Sequence, residues 1–486
     1  MTELSQNLIV IVIDALRRDR VGATTDDEAL TPNIDALAED GVVFENAFSA
    51  TNATDPSITS IHTGREPSTV VSHHGPHVTE DEKRRAESVR SVPEQLQADG
   101  IRTVAAGRSL ARWHSSGFDE YPEEALDVHR RRSVGQQLER ISPTLRSAAG
   151  RIYETLTTLK QTTDSSDEVD DLLEALTDDR SYGFLHMMDP HMPCEPDPKI
   201  IEELLERREY PNQDLQTFFN THADSPYIAD FLADVATDAD FEVGLARLFA
   251  RYDGAVIEAD QKVGRLVEGL RDRDLLDSTT IIVTSDHGES LDEHGIYFDH
   301  HGLYDPSVRV PLIVSGPDVP TARREEYVRL PDLAPTIAET FGSTLDSDGV
   351  GQSLLPLLGG SGEWDERPFV VFSEAQAQRR IGIRTGRYKF IKHVPDPVLE
   401  QKRGSSLECG YCNTIHVGDR ELYDLSNDPR ETTNIADHKP EIATELEAKL
   451  DAYFDELEAF TPESESRVSY DEEEAVLKRL EDLGYK

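Results

Sequence analysis

A short apolar run that ends in an aspartate and a histidine constrains the fold of this 486-residue chain more than any other feature. The run, residues 281–283, consists of β-branched side chains of the kind that form buried parallel strands. After Thr284 come Ser285, Asp286, His287 and Gly288. In open α/β sheets the carboxyl ends of the strands border the ligand crevice, and a carboxylate beside an imidazole suits a divalent metal.

A second strand of the same type is predicted near the N-terminus, where residues 8–13 are all apolar and Asp14 follows. For the strand end at Asp286 and His287 taken alone, a turn with a solvated aspartate and a packed histidine is the favoured interpretation. Two strand ends that deliver Asp14, Asp286 and His287 together favour a metal site.

Alternating strand and helix patterns predict an α/β protein with a doubly wound sheet. Further strands are predicted at residues 101–105, 182–188 and 310–314, and helices at 31–41, 252–270 and 333–341. The glycine-rich stretch at 359–362 predicts a linker, so we expect a large domain over residues 1–362 and a smaller one over 363–486. The smaller domain should contain antiparallel strands at 369–372, 381–384 and 388–391, a helix at 441–457 and an acidic tail. Residues 127–180 and 195–245 are predicted to be a helical excursion and an acidic insertion.

The chain carries 95 acidic and 49 basic residues, a formal net charge of −46. Phosphate backbones would be repelled by such a charge, which excludes nucleic acid as a partner. The acidic residues alternate with apolar segments instead of forming one block, which favours a folded protein over a disordered one. We interpret the charge as a solvated surface suited to high salt, and a halophilic source is the resulting hypothesis.

The first seven residues lead straight into the first predicted strand, without a basic segment followed by a dispensable apolar one. Every apolar run is shorter than a transmembrane helix requires. The expectation is a cytoplasmic protein without a membrane span.

The three cysteines, Cys194, Cys409 and Cys412, are too few and odd in number for a disulfide framework. Cys409 and Cys412 form a Cys-x-x-Cys pair, which is compatible with half of a zinc site or a redox pair. No complementary pair exists in the chain, so two dispensable loop thiols are the favoured interpretation.

A polar segment around Thr54 is predicted to begin a helix. Asp55 before Pro56 predicts an N-cap with proline at the first helical position, which would place Thr54 just ahead of the helix. The free N–H groups and the dipole of a helix start stabilise an anion, such as a deprotonated hydroxyl or a bound phosphate or sulfate. A capping turn without chemistry is the alternative.

Two histidines accompany the strand predicted at 182–188. His186 lies within it and is interpreted as a packed or hydrogen-bonded core residue. His191 follows the strand between two prolines and is the better ligand candidate.

Taken together, these segments resemble the sulfatase family of the alkaline phosphatase superfamily over nearly the whole chain. Residues 7–22 resemble the first family strand and its Asp-x-Leu-Arg-x-Asp continuation, and residues 284–295 resemble the second metal segment. Further landmarks follow in family order at 117–121, 189–193, 309–313 and 421–429, and the terminal Leu-Gly-Tyr is similar to a common family ending. The resemblance implies an α/β/α sandwich with a large mixed, mainly parallel sheet and a smaller C-terminal antiparallel subdomain, with residues 1–362 as the catalytic domain.

The chain departs from the family pattern at three places. Asp14 is followed by Ala15, whereas many sulfatases carry two adjacent aspartates there. The first residue of the family motif Cys/Ser-x-Pro-Ser-Arg, which becomes formylglycine, corresponds to Thr54, and Ile58 stands at the arginine position. Threonine cannot give formylglycine by that route, and Thr54 resembles instead the unmodified nucleophile of phosphodiesterases and phosphoethanolamine transferases in the superfamily. A lysine of the family's substrate clamp is missing near Arg108, which supplies a positive charge in its place.

The resemblance implies a role for each candidate residue. Asp14, Thr54, Asp286 and His287 would hold one divalent metal ion, either Ca²⁺ or one of Mn²⁺, Mg²⁺ and Zn²⁺. Thr54 would be the nucleophile. Of His191 and His301, one would protonate the leaving oxygen and the other would hydrogen-bond the substrate anion, and either histidine fits either role. Arg108 would bind the same anion. His294 and His300 are close in sequence and are interpreted as structural.

The function predicted from these residues is a metal-dependent ester hydrolase that favours phosphoesters, including diesters and monoesters. The substrate would be an anionic phosphate or sulfate ester, for example of a glycan or a lipid. The alternatives are a sulfatase that works without formylglycine, a transferase of phospho-groups, and a degenerate member that binds without catalysis.

Overall fold

The computed structural model describes residues 6–25, 30–108, 110, 112–122, 168–176, 180–221, 238–345, 349–375, 379–396, 400 and 420–458. Cys409, Cys412, the acidic tail, residues 127–167 and 177–179 of the predicted excursion and 222–237 of the predicted insertion lie outside the described residues.

The strands form two sheets. The first contains β1 Asn7–Ile13, β2 Gly41–Phe48, β3 Arg102–Gly107, β4 Ser181–Met187, β5 Thr279–Thr284, β6 Leu312–Ser315 and β7 Ala322–Arg329. The second contains β8 Phe369–Ser373, β9 Arg380–Thr385, β10 Tyr388–His393 and β11 Arg420–Asp424.

The helices of the described chain are α1 Pro32–Glu39, α2 Thr54–Thr63, α3 Glu80–Ser88, α4 Val92–Ala98, α5 Glu168–Ala175, α6 Pro198–Arg207, α7 Leu215–Thr221, α8 Asp238–Val243, α9 Leu245–Asp272, α10 Asp305–Val308, α11 Leu333–Thr340 and α12 Pro440–Glu458. The helix predicted at 252–270 is α9, whose apolar face begins seven residues earlier than the sequence pattern indicated.

The first sheet is mixed and mainly parallel, with strand order β3-β4-β1-β5-β6-β2-β7. Only β6 runs antiparallel to its neighbours β5 and β2 among these seven strands. Apolar side chains pack on both faces of this sheet. On one face, Ile9, Ile11 and Ile13 of β1 pack in a cluster with α9. On the other face, Leu8, Val10 and Val12 pack in a second cluster with α2, α4 and α11. An α/β/α sandwich is therefore confirmed.

The second sheet is antiparallel throughout, with order β11-β10-β9-β8. Helix α12 covers one face through Ala443, Leu446 and Leu450. The sheet begins at Phe369, after the predicted linker, and the division into domains at residue 362 stays a prediction.

Hydrogen bonds join the second sheet to the segment that precedes Thr54. Ser373 N donates to Ala50 O at 3.0 Å, and Ala375 N donates to Asn52 Oδ1 at 3.0 Å. The Asn52 side chain, which is completely buried, also donates to His300 O at 2.9 Å. The end of β8 therefore fixes two chain segments that carry candidate site residues.

Candidate metal and nucleophile site

Three neighbouring strands bring Asp14, His186 and Asp286 together. β1 pairs in parallel with both β4 and β5, and the register sets Val12 beside His186 and Thr284. Asp14 and Asp286 then leave the sheet at the same edge. One ligand atom from each of Asp14, His186 and Asp286 lies within 4.8 Å of the others, and all three residues are buried.

The buried carboxylates have oxygens that the protein does not satisfy. Asp14 Oδ1 and Asp286 Oδ2 have no hydrogen-bond partner among the described residues, nor has Nδ1 of His186. Leaving such atoms without a partner costs free energy, and two carboxylates in one buried site repel each other. A bound divalent cation would remove both penalties, so the donor set fits the metal that the resemblance implies.

The pKa values of the two carboxyl groups differ in direction. Burial acts to raise the pKa of Asp14, but the nearby imidazoles of His191, His186 and His287 outweigh it and hold that pKa below its usual range. Burial and the negative charge of Asp14 raise the pKa of Asp286. Asp14 is thus the more firmly ionised of the pair before any cation binds.

His287 directs one ring nitrogen into the site. Its Nε2 lies 3.6 Å from Asp14 Oδ1, 3.4 Å from Asp286 Oδ2 and 3.4 Å from Thr54 Oγ1. Its Nδ1 is 2.9 Å from Gly288 O, and a carbonyl oxygen can only accept. When one proton is on the ring it is therefore on Nδ1, and the Nε2 lone pair then faces both carboxylates.

The backbone after β1 turns sharply to complete this arrangement. Ala15 has φ +62°, a left-handed conformation that is unusual for a residue with a side chain. The turn directs the Ala15 N–H at Asp286 Oδ1 (3.3 Å), while the buried Tyr252 hydroxyl donates to Ala15 O at 2.7 Å. Backbone strain of this kind is concentrated at functional sites.

Thr54 is the first residue of α2, not the residue ahead of it as the sequence predicted. Ala53 is the N-cap, and Asp55 and Pro56 are the second and third helical residues. A proline at the third position costs no hydrogen bond, because the first N–H groups of a helix have no partner within it. Thr54 is only 5% exposed, so its hydroxyl lies in the buried site at the positive end of the helix dipole.

The remaining predicted site residues, His191, His301 and Arg108, differ in how deeply they are buried. His191 is half-buried, and its ring centroid lies 6.5 Å from that of His287 and 5.6 Å from that of His300. His301 is buried, with Nδ1 3.3 Å from Asp299 Oδ1. Arg108 is exposed at the end of β3, and its backbone N–H donates to His186 O at 2.8 Å. Their roles in the reaction stay predictions.

The sequence analysis missed several residues of the site. His186 looked like a core residue because it lies inside an apolar strand, yet its Nε2 is 3.3 Å from Asp14 Oδ2. His300 packs against His287 with ring centroids 4.1 Å apart, whereas His294 stacks on Tyr304 at 3.5 Å. Asp55, His74 and His114 form a further cluster beside Thr54. The one sequence signal for this cluster is the position of Asp55 directly after the predicted nucleophile.

Residues 6–343 match the protein family described as Sulfatase, and residues 292–400 match the family described as N-sulphoglucosamine sulphohydrolase, C-terminal. The chain therefore belongs to the sulfatase family.

Its relatives carry several activities in their names. Arylsulfatase K of Mus musculus is 32% identical over 212 residues, which are 41% of this chain and 34% of that protein, so the match spans about a third of that relative. Choline-sulfatase of Rhizobium meliloti is 23% identical over 469 residues, 90% of this chain and 84% of that protein. The solved phosphonate monoester hydrolase of Agrobacterium radiobacter has the same fold, with TM-score 0.62, 20% identity and coverage of 92% of this chain and 95% of that one.

Among the helices of the described residues, none combines the length and the apolar character needed to cross a bilayer.

Proposed function

We propose that this sulfatase-family protein is an ester hydrolase in which Thr54 is the nucleophile and phosphoesters are favoured over sulfate esters. One observation carries the proposal. The Thr54 hydroxyl lies at the start of α2, 3.4 Å from Nε2 of His287, which in turn faces Asp14 and Asp286.

Asp14, Asp286, His287 and Thr54 would hold one divalent cation, with His186 as a further donor. When bound, the cation supplies positive charge that favours an ionised hydroxyl and neutralises the ester anion. Carboxylate oxygens with imidazole suit Mn²⁺ or Zn²⁺ as well as Ca²⁺ or Mg²⁺.

The protein's own groups carry the two steps of the reaction. The Thr54 oxygen, its proton released to solvent, forms a bond to phosphorus while the bond to the ester oxygen breaks, and a protonated imidazole, from His191 or His301, gives the leaving oxygen its proton. Water then cleaves the phosphothreonine and gives a proton to that imidazole, while Thr54 regains a proton from solvent. The product is phosphate from a monoester and a phosphate monoester from a diester. Free N–H groups at the start of α2 stabilise the charge on the phosphoryl oxygens.

Sulfate ester hydrolysis by unmodified Thr54 is the second candidate. Relatives such as choline-sulfatase favour it. The threonine at the formylglycine position favours phosphorus, because a hydroxyl without the gem-diol suits phosphoryl transfer better than sulfuryl transfer.

A matched panel of aryl phosphate, aryl phosphodiester and aryl sulfate substrates, assayed at high salt with each candidate metal, tests the proposal. We expect the phosphorus esters to be cleaved faster. Thr54→Ala should reduce kcat by orders of magnitude while fold and metal content persist, and Thr54→Ser should retain partial activity. Faster sulfate cleavage would overturn the substrate preference, and full activity of Thr54→Ala would overturn the nucleophile.

A further inference from the structure

An aspartate held between two histidines lies directly beside the proposed nucleophile. Asp55 follows Thr54 in the first turn of α2 and is 7% exposed. Its Oδ2 is 3.1 Å from His74 Nδ1 and accepts the Gly75 N–H at 2.9 Å. Its Oδ1 faces His114 Nε2 at 3.6 Å. The reaction proposed above uses none of these side chains.

The contact with Asp55 fixes the orientation of the His74 ring. Nδ1 of His74 lies 3.1 Å from Oδ2 of Asp55 and 3.4 Å from the Asp55 backbone N. The doubly protonated ring donates from Nδ1 to the carboxylate, and the neutral ring accepts at Nδ1 from the Asp55 N–H, so Nε2 carries a proton in both forms. Nε2 has no hydrogen-bond partner among the described residues, and 31% of the side chain is exposed. His74 is thus held on one edge and open on the other.

His74 lies within electrostatic range of the metal candidates. Burial opposes its positive charge, but Asp55 chiefly, with Asp14 and Asp286, raises the pKa of His74. Burial lowers the pKa of His300, and the charge of His74 adds to that lowering. Because the ring contacts Asp55, the residue that follows Thr54, it lies beside the place where the proposed function puts the ester anion, and a donor to that anion forms a charge-assisted hydrogen bond.

The preceding residue anchors this segment to the C-terminal part of the chain. His73 Nδ1 is 2.9 Å from Glu82 Oε1, and its Nε2 is 3.1 Å from Asp396 Oδ2. Arg379, from the segment before β9, adds contacts to Asp396 (3.3 Å) and to Ser72 O (2.9 Å). With His73 held on both ring nitrogens, the backbone that presents His74 has little freedom to move away from Thr54.

We propose that His74 is a substrate-binding residue that donates a hydrogen bond from Nε2 to a non-bridging oxygen of the phosphate or sulfate group. The proposal rests on the function proposed above and adds a contact on the side of Thr54 that faces Asp55. Asp55 is then a positioning residue, which acts on the substrate only through His74.

Two substitutions separate the ring nitrogens. Asparagine at this position can replace the Nδ1 donor to Asp55 but lacks the second one, whereas glutamine can reach the position of Nε2 but loses the contact with Asp55. The test measures the dissociation constant of inorganic phosphate, by calorimetry on the metal-loaded full chain, for wild type, His74→Asn and His74→Gln. His438→Asn, at an exposed histidine of the segment before α12, is the matched control.

We expect His74→Asn to weaken phosphate binding by about tenfold or more, the typical value of one hydrogen bond to a charged group. His74→Gln should bind more tightly than His74→Asn, and His438→Asn should equal wild type. Metal content should be the same in all four proteins, which separates substrate binding from metal binding.

Wild-type phosphate affinity in His74→Asn would overturn the proposal, and so would an equal loss in both variants together with lost metal. Those outcomes leave the proposed function standing if wild type still cleaves its esters. Wild type that binds neither phosphate nor sulfate, and cleaves none of the ester panel, would overturn the proposed function and this contact with it.

Discussion

At the scale of single residues, Asp14 and Asp286 have the most to gain from a bound cation. Each is completely or almost completely buried, and each carries an oxygen without a hydrogen-bond partner among the described residues. Their positions followed from the sequence, because each ends an apolar strand. His186 could not be found in that way, since the pattern of β4 does not show that the ring faces Asp14 across the sheet.

Removal of either carboxylate should abolish activity. We expect Asp14→Ala and Asp286→Ala to lose bound metal and turnover, whereas Asp292→Ala, at an exposed position of the same acidic segment, should change neither. Metal content by mass spectrometry and kcat on the best ester check this. Equal losses in all three variants would show that acidity in general, and not coordination, explains the segment.

At the scale of elements, the sequence predicted buried and amphipathic segments well. β1, β4, β5 and α9 were recognised because their apolar residues are continuous or helically spaced. β2 and β7 were not predicted, since Glu45 and Asn46 interrupt the apolar residues of β2, and the residues of β7, Ala322–Arg329, are mostly charged, as an edge strand permits. The start of α2 was misplaced because Asp55 resembles an N-cap, whereas its side chain contacts His74 instead of the helix backbone.

The link between His73 and Asp396 should depend on pH. Burial lowers the pKa of His73, but the hydrogen bonds to Asp396 and Glu82 outweigh it, so the net shift is upward. A raised folded-state pKa contributes stability that is complete below the unfolded value of about 6.5 and is lost as pH rises through the folded value.

Asp396→Asn should therefore lower the unfolding temperature more at about pH 6 than at about pH 9, because only the protonated imidazole loses a charged partner. Thermal melts at both pH values check this. The ion pair of Asp396 with Arg379 is charged at both pH values. An equal fall in unfolding temperature at the two pH values would therefore be due to the loss of this ion pair, and it would contradict the link through His73.

At the scale of the whole molecule, the net charge of −46 predicts self-repulsion that salt should relieve. We expect the unfolding temperature to rise from low to molar KCl, with most of the gain once the Debye length has fallen to a few ångströms. A flat or falling curve would remove the support for a halophilic source.

The most direct test of the central claim is to search for a covalent phosphothreonine at position 54. Metal-loaded protein is mixed with aryl phosphate at high salt, quenched in acid within one turnover, digested, and analysed by mass spectrometry. We predict a phosphorylated peptide containing Thr54 that disappears on longer incubation and is absent from Thr54→Ala. Turnover by wild type with no phosphate on Thr54 at any quench time, together with full activity in Thr54→Ala, would contradict the account.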